Sequence, residues 1–217
     1  MTAPTPVKNR PRAVRFALKR KYSDIGLQEA MQLVGRENVL LWQLDTPDRP
    51  ASAFLEEDLR RLQVFDLTAS EQGKTLLIDS LLSEIVPNHD ELKIWKAAAL
   101  QTDTLTGVAD YVIAPRRAYL ATPLLCVIKA KRDDFEKGRA QCIAEMYACQ
   151  WNNRQSKTNT DVFGIVSNGQ AWQFYKLTGD GDVWETELYA LRELSGLLGA
   201  LDYVCGECAK LISVPSH

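Results

Sequence analysis

The chain has 217 residues, of which 46% are hydrophobic and 25% are charged, with a formal net charge of −2. This composition excludes a disordered or low-complexity protein and supplies enough apolar side chains for one sizeable core. No apolar run approaches the roughly 18 to 20 residues of a membrane span, and the N-terminal MTAPTPVKNRPR has no hydrophobic signal segment, so we expect a globular cytoplasmic protein without a membrane partner.

The N-terminal residues are strongly basic. Residues 8–21 carry seven basic side chains and no acidic one, which predicts an arm that binds phosphate groups; a solvated leader is the alternative. We therefore divide the chain into a basic arm (1–21), a helical extension (22–66) and a main domain (67–217). The candidate nucleic-acid contacts in the arm are Arg12, Arg15, Lys19, Arg20 and Lys21.

Hydrophobic periodicity and local turn signals predict the helices and strands. Thr68 with Glu71, and Asp133 with Glu136, are capping-box pairs that favour helix starts. Asn168-Gly169 is typical of a two-residue hairpin turn with positive φ at both positions. In chain order we predict helices over 23–34, 53–64 and 68–86, strands over 92–98, 108–114 and 124–131, a helix over 134–152, a hairpin around 168–169, a strand over 183–189 and a helix over 191–212. This order favours an α/β fold with a mixed central sheet flanked by helices.

The cysteines and histidines argue against several kinds of site. Five cysteines in a chain of this length do not indicate a disulfide framework. The CGEC at 205–208 falls in a predicted helix, which favours buried thiols over a redox motif or a zinc site. The two histidines, His89 and His217, do not favour a Ser-His-Asp triad or a multi-histidine metal site.

Four charged residues occupy positions where the pattern predicts burial. Glu84 lies on the apolar stripe of its helix, Asp110 interrupts an apolar strand face, and Lys129 and Lys131 share one face of the next strand. Buried charges are tolerated when they are paired, bind metal or take part in chemistry. The spacing alone leaves two interpretations open, an internal ion-pair cluster and a functional site.

The order of these parts resembles a known superfamily. A helix glutamate, the strand GVADYVIAPRRAY and the segment PLLCVIKAKRDDFEKGRAQCIAEM together resemble the PD-(D/E)XK, or restriction-endonuclease-like, nucleases over residues 70–180. The resemblance implies a PD-(D/E)XK-like core of one helix, three strands, a helix and a strand, preceded here by the helical extension. It also implies cleavage of DNA phosphodiester bonds with Mg²⁺ or Mn²⁺ as cofactor.

The resemblance assigns roles to individual residues. Glu84 is similar to the helix glutamate that orders the site and reaches the metal, and Asp110 is similar to the central metal-ligating aspartate. Lys131 matches the lysine that positions the attacking water, and Gln141 matches a glutamine that several branches carry on the next helix. Glu145 follows Gln141 by one turn and shares its face.

Lys129 departs from the family pattern. The resemblance implies an acid two residues before Lys131, in an E-x-K motif, and this chain has lysine there. An ammonium about 4 Å from the Asp110 carboxylate would interact with it by about 4 kcal/mol at an effective dielectric constant of 20, and it would repel Mg²⁺. Metal binding is therefore expected to be weakened or lost. Cleavage has then been lost, or another acid such as Asp133 or Glu145 has replaced the ligand, or Lys129 is an introduced substitution.

Further groups have both a functional and a structural interpretation. Arg116 and Arg117 are candidate phosphate contacts, although a charged turn is the commoner arrangement. Trp172, Phe174 and Tyr175 are candidates for stacking on bases, although alternating aromatics in a hairpin are more often core residues. The expected function is thus a metal-dependent DNA nuclease impaired by Lys129. The alternatives are an inactive nucleic-acid-binding or protein-interaction module and an ion-paired structural domain, and the sequence leaves a homodimer open.

Overall fold

The computed structural model describes residues 18–67, 70–131 and 135–213. Within these ranges the strands form one nine-stranded mixed sheet with helices on both faces, which confirms the predicted α/β class. The helices are α1 (Leu27–Val34), α2 (Ala53–Leu62), α3 (Glu71–Ile85), α4 (Phe135–Gln155) and α5 (Leu194–Ser213). The strands are β1 (Arg20–Lys21), β2 (Val39–Leu41), β3 (Leu92–Gln101), β4 (Leu105–Pro115), β5 (Cys126–Ala130), β6 (Val162–Ser167), β7 (Ala171–Leu177), β8 (Val183–Glu185) and β9 (Tyr189–Ala190).

The sheet follows the order β1-β4-β5-β6-β7-β8-β2, with β3 also paired to β4 and β9 to β7. β3, β4 and β5 are antiparallel neighbours, whereas β5 and β6 are parallel. A parallel pair needs a long crossover connection, and α4 provides it. Side chains of α4 form one apolar cluster with one face of the sheet, and α3 and α5 cover the other face.

The core consists of these two clusters. Along β5, Val127 packs in the α4 cluster, whereas Ile128 packs in the cluster with α3 and α5, as the two-residue repeat of a strand requires. The aromatic residues Trp172, Phe174 and Tyr175 of β7 are fully buried. Their role is therefore in the core, and the base-stacking interpretation is wrong.

Close contact between α4 and β6 depends on a glycine. A Cβ atom on Gly164 would lie 2.5 Å from the Sγ atom of Cys142 and 2.7 Å from the Sδ atom of Met146. These separations are far below van der Waals contact, so only glycine lets the helix approach the sheet this closely. The same helix face carries the polar residues of the candidate site.

The segment 22–66 contributes one strand, β2, as well as helices, and the end of the predicted basic arm contributes β1. β1 pairs with β4 and β2 pairs with β8, so the residues around both strands are part of the main sheet. The first predicted helix is shorter than expected, because residues 22–24 form a 3-10 turn and α1 begins only after Gly26. Glycine is a poor helix former, which explains the late start.

Two local predictions need correction. α3 is capped by Ser70, whose hydroxyl accepts a hydrogen bond from the Gly73 amide at 3.0 Å; Thr68, the predicted cap, lies outside the described residues. The β6–β7 connection spans residues 168–170, and only Gly169 has positive φ. The Asn168 side chain accepts hydrogen bonds from the amides of residues 170 and 171. These hydrogen bonds close the turn, although the φ of Asn168 is not positive.

The cysteines are buried and unpaired. Cys205 and Cys208 lie in α5, as predicted for the CGEC segment, and burial raises the pKa of both thiols. A raised thiol pKa lowers the thiolate fraction, so these groups act as small apolar side chains. In the part of the chain that the structure describes, no helix is long and apolar enough to cross a membrane.

Candidate functional site

The candidate site lies where β4 and β5 separate. Their ladder runs from Ile113 opposite Cys126 to Tyr111 opposite Ile128, and the next positions along the two strands are Asp110 and Lys129. There the side chain of Asp110 takes over the contact between the strands. Its Oδ1 atom lies 3.0 Å from Lys129 Nζ, and its Oδ2 atom accepts a hydrogen bond from the Ala130 amide at 2.9 Å. The carboxylate thus holds the two strands together at the point where the backbone pairing stops.

The backbone beside Asp110 is also irregular on the β3 side. The β3–β4 ladder pairs Lys96 with Tyr111 and Ala98 with Ala109, which leaves Ala97 facing Asp110 outside the regular pairing. Ala97 has a φ of +51°, a conformation that L-residues rarely adopt. Strained backbone of this kind is frequent at functional sites.

A cleft of about 240 Å³ opens beside these residues. α3, β3, β4 and the end of β5 surround it, so Asp110 is reachable from solvent while its neighbours on α4 are enclosed. The lining residues are Gln72, Thr75, Lys96, Ala97, Val108, Asp110, Tyr111 and Ala130.

A second carboxylate reaches the same lysine from α4. Glu145 Oε1 lies 3.6 Å from Lys129 Nζ, and the exposed fractions of the side chains fall from 30% for Asp110 to 10% for Lys129 and 1% for Glu145. Burial raises the pKa of the Glu145 carboxyl to about 8, and the Lys129 ammonium limits that rise because it favours the ionised form. Lys129 is therefore a nearly buried cation between two acids.

Gln141 and Lys131 complete the polar group. Gln141 is buried on α4, one turn before Glu145, and its Oε1 atom accepts no hydrogen bond from the described residues. Lys131 follows β5 directly and donates its backbone amide to Ser167. A Cβ atom on Gly138 would lie 3.0 Å from the Lys131 Cγ atom, so glycine leaves room for the lysine stem beside α4. The structure thus brings Asp110, Lys129 and Lys131 together with the Gln141 and Glu145 face of α4.

Glu84 does not join this group. Its carboxylate accepts hydrogen bonds from the amide and the hydroxyl of Ser52, at 3.0 and 2.8 Å, where α2 begins. Thr75 is the α3 residue that lines the cleft, and nine residues of helix separate it from Glu84 by about 13 Å. The partner of the Glu84 carboxylate is therefore the N-terminus of α2. The structure does not support the predicted role of Glu84 in holding metal.

The described part of the basic arm binds to the protein itself. Lys19 Nζ donates to the Thr102 carbonyl oxygen at 2.5 Å and to Gln101 at 3.2 Å, and Arg20 forms an ion pair with Glu29. Lys21 is exposed. The predicted contacts Arg12 and Arg15 lie outside the described residues.

The two arginines after β4 lie far from Asp110. Arg116 donates from Nε to the Asp90 carbonyl oxygen at 2.6 Å, and Arg117 is exposed beside it. Six residues of extended strand separate Arg116 from Asp110, or about 20 Å. These arginines belong to the opposite end of the strand, where the charged-turn interpretation fits.

The group does not fit the divalent ion that the resemblance implies while Lys129 is in place. Among the described residues, no three His, Cys, Asp or Glu side chains are arranged to hold a metal ion. Mg²⁺ needs oxygen ligands at about 2.0 to 2.1 Å, and an ammonium 3.0 Å from Asp110 would stand against any ion bound to that carboxylate.

In the sequence, Glu145 is a neighbour of Gln141 and a candidate replacement for the missing metal ligand, but no pattern predicts that it pairs with Lys129. The signal in the sequence was a carboxylate among the apolar residues Cys142, Met146 and Cys149 of the same helix. Burying a carboxylate there without a partner costs free energy. The partner, Lys129, lies on another element, so only the tertiary contact identifies the pair.

Replacing Asp110 with asparagine is expected to lower the free energy of unfolding by about 2 kcal/mol. Asparagine offers one acceptor where Lys129 and the Ala130 amide both donate, so its amide nitrogen faces a donor and the ammonium loses a counter-charge. Urea unfolding measures the change, with Asp90→Asn at an exposed turn as the control. Equal stability of both variants would show that Asp110 does not secure Lys129.

The comparisons with known proteins add no assignment. No family model matches the chain, and no curated protein is significantly similar to it.

Proposed function

We propose that this chain is a PD-(D/E)XK-type protein directed at the phosphodiester bonds of DNA, and that Lys129 impairs its metal-dependent nuclease activity. The supporting observation is the convergence of Asp110 on β4, Lys131 after β5 and Gln141 on α4 at the point where the two strands separate. The resemblance implies these three residues, and the fold brings their elements to one place.

The order of the surrounding elements supports the same proposal. α3 precedes the antiparallel strands β3, β4 and β5, and α4 then leads to the parallel strand β6. The cleft beside Asp110 opens the site to solvent, as contact with an extended polymer requires. Lys131 supplies positive charge near the position where a phosphate would lie.

Lys129 is what sets this chain apart from an intact nuclease. Its ammonium satisfies Asp110 and lies within 3.6 Å of Glu145, so the acids that would attract a divalent ion already have a cation. Hydrolysis by the unaltered chain is therefore expected to be slow or absent.

The same contact favours a second candidate, a nucleic-acid-binding module on the nuclease scaffold that does not cleave. An internally neutralised acid pair no longer repels the phosphate backbone as free carboxylates would. Such a module would bind DNA with a salt dependence set by its lysine contacts and would show no metal requirement.

Incubation of the unaltered chain with DNA separates these candidates. Supercoiled plasmid and single-stranded DNA are incubated with and without Mg²⁺ or Mn²⁺, while fluorescence anisotropy follows binding. We expect binding in all conditions and little or no cleavage. Rapid metal-dependent cleavage would show that another acid already serves as ligand, and the absence of both binding and cleavage would contradict the proposal and favour an ion-paired structural domain.

A further inference from the structure

Lys129 occupies a cation position made by two different elements. Asp110 approaches its ammonium from β4 at 3.0 Å, and Glu145 approaches from α4 at 3.6 Å. Because β5 places Lys129 between its neighbour strand and the covering helix, the ammonium is enclosed by protein on both sides. The fold itself therefore forms this cation position, because both acids lie on packed elements of secondary structure.

Two enclosed acceptor oxygens on α4 have no hydrogen-bond donor among the described residues. Glu145 Oε2 and Gln141 Oε1 are enclosed and accept no hydrogen bond in the described part of the chain. Both side chains are more than nine-tenths buried. Two carboxyl groups face the Lys129 ammonium, and acceptor oxygens without a donor among the described residues remain beside α4.

An oxygen-rich, doubly acidic position suits a divalent cation better than an ammonium. Mg²⁺ and Mn²⁺ prefer carboxylate and carbonyl oxygens, and Asp110, Glu145 and the Gln141 amide oxygen are ligands of that kind. The ammonium excludes such an ion, because the two positive charges would lie within a few ångströms of each other.

We infer that the Lys129 ammonium is a tethered cation that fills a divalent-cation site formed by Asp110 and Glu145. Shortening the lysine side chain then leaves two facing carboxylates and opens the site to Mn²⁺ or Mg²⁺. Glu145 on α4, and not Glu84 on α3, is the acid that completes the pair. This inference concerns the same site as the proposed function, but it requires no DNA and no cleavage.

The test is Mn²⁺ binding by Lys129→Ala, measured by calorimetry and by the spin-resonance signal of free Mn²⁺. A pH of about 8.5 lets the buried acid lose its proton to solvent when the metal binds. We expect Mn²⁺ to bind at least about tenfold more tightly to Lys129→Ala than to the unaltered chain. Adding Glu145→Gln is expected to abolish that gain.

Lys96→Ala is the matched control. Lys96 lines the same cleft and lies 2.7 Å from Asp79, so the substitution also frees an acid from its lysine, but at an exposed position. We expect no gain in Mn²⁺ affinity. A gain equal to that of Lys129→Ala would mean that removing any nearby positive charge attracts the ion, which would contradict a specific site.

If Lys129→Ala does not fold without metal, Lys129→Asn is tested beside it, because asparagine is shorter than lysine and carries no charge but keeps a hydrogen-bond donor. If both variants unfold without metal, refolding on addition of Mn²⁺ supports the inference, and failure to refold at any Mn²⁺ concentration contradicts it. A folded variant that binds no Mn²⁺, or one whose binding survives Glu145→Gln, also overturns it. Failure of the proposed function would appear separately, as metal binding without any effect on DNA.

Discussion

Replacing Lys129 with glutamate is expected to raise Mg²⁺- or Mn²⁺-dependent cleavage of plasmid DNA by at least about a hundredfold over the unaltered chain. The substitution removes the ammonium that lies 3.0 Å from Asp110 and puts a carboxylate at the acid position of the E-x-K motif. Asp110, Glu145 and the new side chain then surround one place with three carboxyl groups, and Lys131 remains beside them.

The size of the effect follows from the change of two charges at a nearly buried position. The Lys129 side chain is only 10% exposed, so solvent screens its field only weakly. Without metal, three close carboxylates repel one another, and the variant should be less stable than the unaltered chain. Added Mn²⁺ should restore that stability, because an ion that binds only the folded state shifts the equilibrium toward it.

Two further variants make this result specific. Lys131→Ala in the Lys129→Glu background should remove the gained cleavage, because the resemblance implies that Lys131 positions the attacking water. Lys96→Glu reverses a charge at an exposed position in the same cleft and should leave cleavage at its original level. A well-folded Lys129→Glu protein with neither metal binding nor cleavage would falsify the nuclease interpretation.

The free energy of unfolding is expected to fall as the pH rises from about 5 to about 9, because of Glu145. Burial raises the pKa of this carboxyl from 4.5 to about 8 in the folded chain. Between these values the folded protein holds a proton that the unfolded chain has released, so each step toward higher pH favours unfolding. The contribution is fully present at low pH and is lost as the pH passes about 8.

The magnitude can be bounded from the same shift. At about 1.4 kcal/mol for each pH unit between the two pKa values, the loss amounts to at most about 5 kcal/mol. This bound already includes the Lys129 ammonium, which stabilises the ionised acid and keeps the pKa of Glu145 from rising further. Glu145→Gln should therefore flatten the pH dependence and make the protein more stable than the unaltered chain at about pH 9.

Urea unfolding at a series of pH values measures this effect. Glu136→Gln is the control, because Glu136 lies in the first turn of the same helix and is exposed. Its removal should leave the curve unchanged. If Glu145→Gln retains the full pH dependence, another buried group must be responsible and the Glu145 assignment is wrong.

Local patterns in the sequence determined most of the elements around the site. The alternation over 124–131 predicts the strand that carries Lys129, and the apolar face of residues 135, 142, 146 and 149 predicts α4, because both repeats are short-range properties of the backbone. The two-residue spacing likewise predicts that Asp110 lies on the face of an apolar strand. The paired Asp110 and Lys129 confirm that charge in this position has a partner.

Partners between distant elements were decided by the tertiary structure alone. Periodicity places Glu84 on an apolar stripe, but whether that stripe meets Asp110 or Ser52 depends on how α2 and α3 pack, which no local pattern encodes. In the same way β1 and β2 are too short to be recognised as strands, and they exist because the edges of the large sheet offer them hydrogen bonds. Glu145 is ordinary in sequence, and it becomes a buried acid of raised pKa only because α4 crosses directly over Lys129.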